Sequence, residues 1–129
     1  MASVNGRRAI VGVSLKMYMG LAQTRRWMDA LAAMAADALP DGVDLFVIPT
    51  FVSLQDARES LAGTPVMLGA QDVFWEDAGA FTGEISPPML VEAGCRMVEI
   101  GHAERRRLFG ETYDVVNKKT VAALRAGLV

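Results

Sequence analysis

Cysteine and histidine are almost missing from this sequence, which holds one of each, Cys95 and His102. A lone cysteine excludes an internal disulfide framework, and no second thiol stands near it to share a metal. That scarcity fits a reducing compartment, so a cytoplasmic location is expected. Long apolar runs are also missing. No segment approaches the ~20 consecutive apolar residues of a transmembrane helix. The polar, basic stretch from Met1 to Arg8 precedes only a short apolar run and does not read as a signal peptide. Charge of one sign is lacking too: 13 basic side chains face 15 acidic ones, interspersed, for a formal charge of −2. No basic stripe argues for nucleic acid or an anionic membrane surface as a partner. Finally, the first strand-to-helix turn has neither Gly-x-Gly-x-x-Gly nor a phosphate loop, which weakens a nucleotide-binding reading.

What is present is a repeated alternation of short apolar runs and helical spacings. The 129 residues, 52% hydrophobic, suit one globular domain or a piece of a larger one. Ala9-Ile10-Val11-Gly12-Val13 reads as a strand buried on both faces. The loop from Ser14 to Gly20 carries Lys16. Leu21 to Leu39 has helical spacing, with Trp27, Leu31, Met34, Ala35 and Ala38 on one face, and Pro40-Asp41-Gly42 ends it. Val43 to Ile48 is a second strand. Ser53 to Leu61 is a short helix with Ser53 as N-cap. Val66 to Ala70 is a third strand. A polar-aromatic segment from Gln71 to Ser86 follows without helical period, and loops of this length are usually functional. Pro87 to Ala93 is a helix opened by proline and closed by Gly94. Arg96 to Ile100 is a fourth strand, followed by a loop bearing His102 and a helix from Tyr113 to Arg125. The recurrence of short apolar strands about 25–30 residues apart is that of βαβ units and implies a parallel sheet with right-handed crossovers. Four units fit a small open doubly wound sheet or part of a (β/α)8 barrel, which typically needs ~250 residues.

Val98-Glu99-Ile100-Gly101-His102-Ala103-Glu104-Arg105-Arg106 organises the chain. An apolar strand breaks at a glycine and presents the one histidine, an acid and bases, where parallel α/β proteins place their chemistry. From Ile100 to Arg106, and on to Phe109-Gly110-Glu111, it resembles the I-G-H-S-E-R-R and F-G-E of the triosephosphate isomerase family. Gly79 to Pro87, with Gly69-Ala70-Gln71 before it, resembles that family's third loop. Lys16-Met17 after Val11-Gly12 resembles its first loop, G-N-W-K-M-N-G. The match covers the first four of the family's eight βα units. It implies an α/β fold made of the first four units of a TIM barrel, with residues 1–129 forming the N-terminal half of one domain. Ser14 stands where the family has Asn, Leu15 where it has Trp, Tyr18 where it has Asn and Ala103 where it has Ser. The pattern V-S-L-K-M-Y is closer to the bacterial L-erythrulose-1-phosphate isomerase group of erythritol catabolism, which resembles the triose enzyme.

The resemblance implies a sugar-phosphate isomerase that moves a carbon-bound proton through an enediolate, without metal or organic cofactor. His102 would be the electrophile, kept neutral by a helix starting just after it. Lys16 would supply positive charge to the substrate and the enediolate. Glu104 would hold Lys16 or shuttle a proton, and Ser14 would contact substrate in place of Asn. The base and the phosphate grip belong to the family's later loops, so these 129 residues alone are expected to be inactive. A homodimer is expected through the third loop, with Gln71, Phe81, Thr82, Gly83 and Glu84 in the contact.

Plainer readings stand beside these. Taken alone, His102 and Lys16 are ordinary loop and surface residues. Glu104 could simply pair with Arg105 or Arg106, and Phe74, Trp75 and Phe81 could be loop packing. Two rival functions follow: triosephosphate isomerase itself, acting on dihydroxyacetone phosphate, and a non-catalytic half-barrel that binds a partner or self-associates.

Overall fold

A computed structural model describes residues 9–129, so the reading of residues 1–8 lies outside the described residues. Four strands alternate with helices: β1 (Ala9–Ser14), α1 (Leu21–Ala38), β2 (Val43–Ile48), α2 (Leu54–Ser60), β3 (Met67–Ala70), α3 (Pro87–Glu92), β4 (Met97–Val98), α4 (Ala103–Phe109) and α5 (Tyr113–Arg125). All pairings are parallel, and the strand order is β1-β2-β3-β4. Sequence order equals spatial order, with no reversal. A doubly wound sheet needs a reversal to place helices on both faces, whereas sequential right-handed crossovers place them all on one face and let the sheet curl. The architecture is therefore that of four βα units of a TIM barrel, curled into a half-barrel.

Register is set by close approach as well as hydrogen bonding. Gly12 lies opposite Phe46. A Cβ there would stand 2.3 Å from the Phe46 carbonyl oxygen and 2.4 Å from its ring, so only glycine fits. The strict ladder of β4 is two residues, shorter than expected, but Arg96 and Glu99 extend it by donating N–H to Leu68 O and Ala70 O at 2.8 Å each. On its other edge β4 bonds Val129, through Val98 N–H to Val129 O and Val129 N–H to Arg96 O, both 3.0 Å.

The core joins Met28, Val47, Ala57, Leu68, Ala70, Val73 and Leu90, all at most 5% exposed. Two expectations are corrected here. The strand β1 is not buried on both faces: Ile10, Val11 and Val13 are 59%, 53% and 42% exposed. Composition marked the run as apolar but could not show which described elements cover it. On α1 the buried residues are Thr24, Met28 and Ala35, at helical spacing, with Trp27 and Leu31 partly buried beside them, while Met34 is exposed. The side chain of Ala38 lies outside the described residues.

The start of α2 differs from expectation. Ser53 makes no side-chain cap; it closes a 3-10 turn, Phe51–Ser53, and its hydroxyl bonds Thr50 Oγ1 at 3.1 Å. Ser86 caps α3 by accepting Met89 N–H at 3.3 Å, with Pro87 at the first helical position where its missing N–H costs nothing. Thr112 caps α5 in the same way, accepting Val115 N–H at 3.3 Å.

Candidate active site

The C-terminal ends of the four strands border a cleft of about 590 Å³. Ser14, Lys16, Tyr18, Gln71, Glu99, His102 and Glu104 line it. Thus Ser14, Lys16, His102 and Glu104 come together, although the first two are separated from the others by more than 80 residues. The stretch after Gly101 is not simply a loop. It is α4, with His102 as its N-cap and Gly110 in the left-handed conformation closing it. The Nδ1 of His102 accepts the Glu104 N–H at 3.1 Å. In the neutral ring the proton therefore sits on Nε2, which faces the cleft.

Lys16 reaches this nitrogen from the other end of the half-barrel. Its backbone is left-handed, with φ 52°, a conformation that costs a non-glycine residue about 1–2 kcal/mol. The Gln71 amide donates to the Lys16 carbonyl at 2.9 Å and holds the turn. The Lys16 ammonium then lies 2.5 Å from His102 Nε2 and 3.3 Å from Glu104 Oε2. Glu104 faces Lys16, while Arg105 and Arg106 have other partners. Two groups able to donate, the ammonium and the Nε2–H, thus face one point of the cleft beside carboxylates, and they meet side by side only while no acceptor separates them. An oxygen placed between them accepts from both, which is the arrangement that stabilises a developing oxyanion.

Sequence reading missed Glu99 and the network behind α4. Glu99 Oε1 is 3.5 Å from His102 Nε2 and 3.7 Å from Lys16 Nζ. The available signal was an acid inside an otherwise apolar strand. Behind the site, Lys119 is buried and donates to Asp72 Oδ1 at 2.7 Å and Glu111 Oε1 at 2.5 Å. Arg105 Nε meets the same two acids, at 2.8 Å to Asp72 Oδ2 and 2.5 Å to Glu111 Oε1. Burial pushes the Glu111 carboxyl up, but the hydrogen bonds from Lys119 and Arg105 outweigh it and hold it below the usual carboxylate range. Among the described residues no three His, Cys, Asp or Glu are grouped as a metal site.

The third loop packs on itself. Phe74 stacks on Trp75 and Phe81, with ring centroids at 4.1 and 4.5 Å. Phe81, Thr82, Gly83 and Glu84 are exposed at its tip, while Gln71 turns inward to Lys16. No described helix is long and apolar enough to cross a membrane.

Comparison with known proteins agrees with this geometry. The triosephosphate isomerase family profile matches residues 9–129. An L-erythrulose-1-phosphate isomerase of Pectobacterium atrosepticum is 50% identical over 129 residues, covering 97% of this chain and 49% of the relative. A triosephosphate isomerase of Thermoanaerobacter sp. is 48% identical over 122 residues, covering 95% and 48%. An L-erythrulose-1-phosphate isomerase of Mycolicibacterium smegmatis is 47% identical over 120 residues, covering 92% and 46%. The chain spans about half the length of these curated relatives. With the profile matched across every described residue, the chain belongs to the triosephosphate isomerase family.

Proposed function

We propose that this chain supplies the first four βα units of a sugar-phosphate isomerase whose substrate is L-erythrulose 1-phosphate. The observation that carries the isomerase reading is the convergence of Lys16 Nζ and His102 Nε2 at 2.5 Å, flanked by Glu104. In the proposed reaction a base outside these residues removes a proton from the carbon next to the carbonyl. The electron pair moves onto the carbonyl oxygen and gives an enediolate, and the proton returns at the neighbouring carbon. His102 donates Nε2–H to the two oxygens in turn, as the neutral histidine does in triosephosphate isomerase. Lys16 offsets the negative charge, and Glu104 holds Lys16 in place. Ser14 and Tyr18 at the first loop, and 50% identity to a relative named for the tetrulose phosphate, favour the four-carbon substrate. The base and the phosphate-binding loops belong to the rest of the barrel, so residues 1–129 alone should not turn over substrate. The third-loop tip at Thr82 is proposed to contact a second subunit, and the enzyme to work in the cytoplasm.

The complete enzyme, given L-erythrulose 1-phosphate and dihydroxyacetone phosphate in parallel, tests the reading. The tetrulose phosphate should have the higher kcat/KM, and His102→Gln should lower its kcat by ~10²-fold or more, as loss of an oxyanion donor does. An unchanged kcat would remove His102 from the chemistry. A higher kcat/KM for dihydroxyacetone phosphate would make the enzyme a triosephosphate isomerase.

A further inference from the structure

We propose that Glu99 is a substrate-recognition residue: its carboxylate accepts a hydrogen bond from the terminal hydroxymethyl group of a four-carbon ketose phosphate. The proposal rests on the isomerase reading above and assigns the feature that separates a four-carbon from a three-carbon substrate. Three acids line the cleft: Asp72, Glu99 and Glu104. Asp72 is engaged by Arg105 and Lys119, and Glu104 accepts from Lys16 at 3.3 Å. Glu99 alone among these three makes no hydrogen bond through its side chain to any described residue. Its contacts with Lys16 Nζ at 3.7 Å and His102 Nε2 at 3.5 Å are ion-pair distances only. Its backbone is fixed, since its N–H bonds Ala70 O at 2.8 Å, and its side chain is only 22% exposed. A carboxylate is an acceptor with up to four lone-pair sites. Here it is held half-buried, facing the cleft, with those sites unused.

The position of that acceptor decides what it takes. In a 1-phospho-2-ketotetrose the phosphate occupies one end, the two reacting carbons lie in the middle, and a hydroxymethyl group ends the chain. The two reacting oxygens are the ones His102 Nε2 and Lys16 Nζ would hold. The terminal hydroxyl is one carbon beyond them. Glu99 Oε1 lines the same cleft within 3.7 Å of both nitrogens, close enough for a group one carbon from those oxygens to reach it. A triose phosphate has a hydrogen at that place and would leave the carboxylate facing a C–H. A site built to accept a hydroxyl discriminates against an analogue lacking it, because the buried polar group is then left unpaired. The Ser14 hydroxyl lines the same cleft, and its Oγ is buried with no hydrogen-bond partner among the described residues. It is a second group free for the polar end of a longer substrate.

The test compares wild type, Glu99→Leu and Glu99→Gln in the complete enzyme, with L-erythrulose 1-phosphate and dihydroxyacetone phosphate as substrates. In Glu99→Leu the ratio of kcat/KM, tetrulose over triose, should fall about 10- to 100-fold. Glu99→Gln preserves the shape and keeps one acceptor oxygen, so the ratio should fall in the same direction by a smaller factor. Calorimetric binding of erythritol 4-phosphate against glycerol 3-phosphate, neither of which can isomerise, should show the same loss of preference. Equal losses for both substrates would overturn the proposal and make Glu99 a charge partner of Lys16. No loss for either would overturn it as well. A wild-type enzyme that isomerises neither substrate would overturn both this proposal and the reading on which it rests.

Discussion

Replacing Lys119 by methionine should invert the pH dependence of stability. The side chain of Lys119 is 4% exposed and touches two carboxylates, Asp72 at 2.7 Å and Glu111 at 2.5 Å, each also held by Arg105. The buried cluster is balanced, two cations against two anions. The Lys119→Met side chain fills much of the same volume but leaves the cluster one cation short. Breaking a buried pair by removing one partner costs about 3–5 kcal/mol, because the remaining charge stays desolvated. In a complete barrel each kcal/mol is worth about 2–4 °C in Tm, so a fall of about 6–20 °C at pH 7 is expected. The sign of the pH effect then separates this mechanism from simple loss of packing. In the native protein the Glu111 carboxyl lies below its ordinary range, so the unfolded chain binds the proton more readily. Its stabilising contribution is present above the usual carboxylate range and is lost as pH falls toward the folded value. In the variant, burial still pushes Glu111 up, and only Arg105 opposes it. Protonation then relieves the excess charge, and the variant should recover stability as pH falls toward the carboxylate range, while the native protein does not. Urea unfolding at a series of pH values reads this directly as the midpoint times the m-value. The double variant Glu111→Leu, Lys119→Met leaves Asp72 with Arg105 and should be more stable than Lys119→Met alone. A single variant within 1 kcal/mol of native at pH 7, or one that loses stability on acidification in parallel with native, would refute the reasoning.

Two further outcomes follow from packing. Gly12→Ala drives a Cβ onto the backbone carbonyl of Phe46, which cannot rotate away. The β1–β2 register must open, at a cost of about 1–3 kcal/mol or more in chemical denaturation; a loss under 0.5 kcal/mol would show that the strands are more loosely paired than the register implies. Cys95 is 5% exposed, and burial pushes its thiol up to about 11. It should resist a thiol-specific disulfide reagent at pH 8 and react once urea unfolds the chain. Because the folded value is raised, the stability it contributes is present below the ordinary thiol range and lost as pH rises toward about 11; prompt labelling of the native protein would contradict this burial.

The alternation of strands and helices was legible because four apolar runs recur at βαβ spacing, but the choice between an open sheet and a barrel came from the family resemblance. The site motif was legible from local letters, since His102, Glu104 and Lys16 sit where strands end. The helix α4 was not legible from local pattern; only the family resemblance implied a helix starting just after His102. Its seven residues include four charged ones, and its cap is a histidine, a residue that rarely signals a helix start. Glu99 was passed over because it sits in an apolar strand, where alternation suggests a core position. Whether it points to the core or to a cleft depends on where the strand ends. Thr24 and Lys119 were missed for a related reason: hydrophobic periodicity does not count a polar residue as core, yet both are 3% exposed. The buried lysine is permitted only by Asp72 and Glu111, distant in sequence. Such pairings depend on tertiary contacts that no local pattern carries.

One dipeptide at the end of β3 places both halves of the site. Gln71 and Asp72 are consecutive, just past the end of β3, and their side chains reach to opposite parts of the site. Gln71 reaches forward, donating to the carbonyl of Lys16 and holding that residue in its left-handed turn. Asp72 reaches back, to Arg105 on α4 and to Lys119 on α5. Because His102 is the N-cap of α4, anchoring Arg105 fixes the helix that orients the imidazole. The 2.5 Å approach of Lys16 to His102 therefore joins two separate loops, each tied to the same point of the sheet. Neither loop needs to be rigid by itself. The strain at Lys16 is held by a hydrogen bond, the helix at His102 by a charge network, and both restraints begin on adjacent residues of one strand end. A shift of that strand would move His102 and Lys16 together and keep their separation, the property two side chains need if they are to hold one bound molecule.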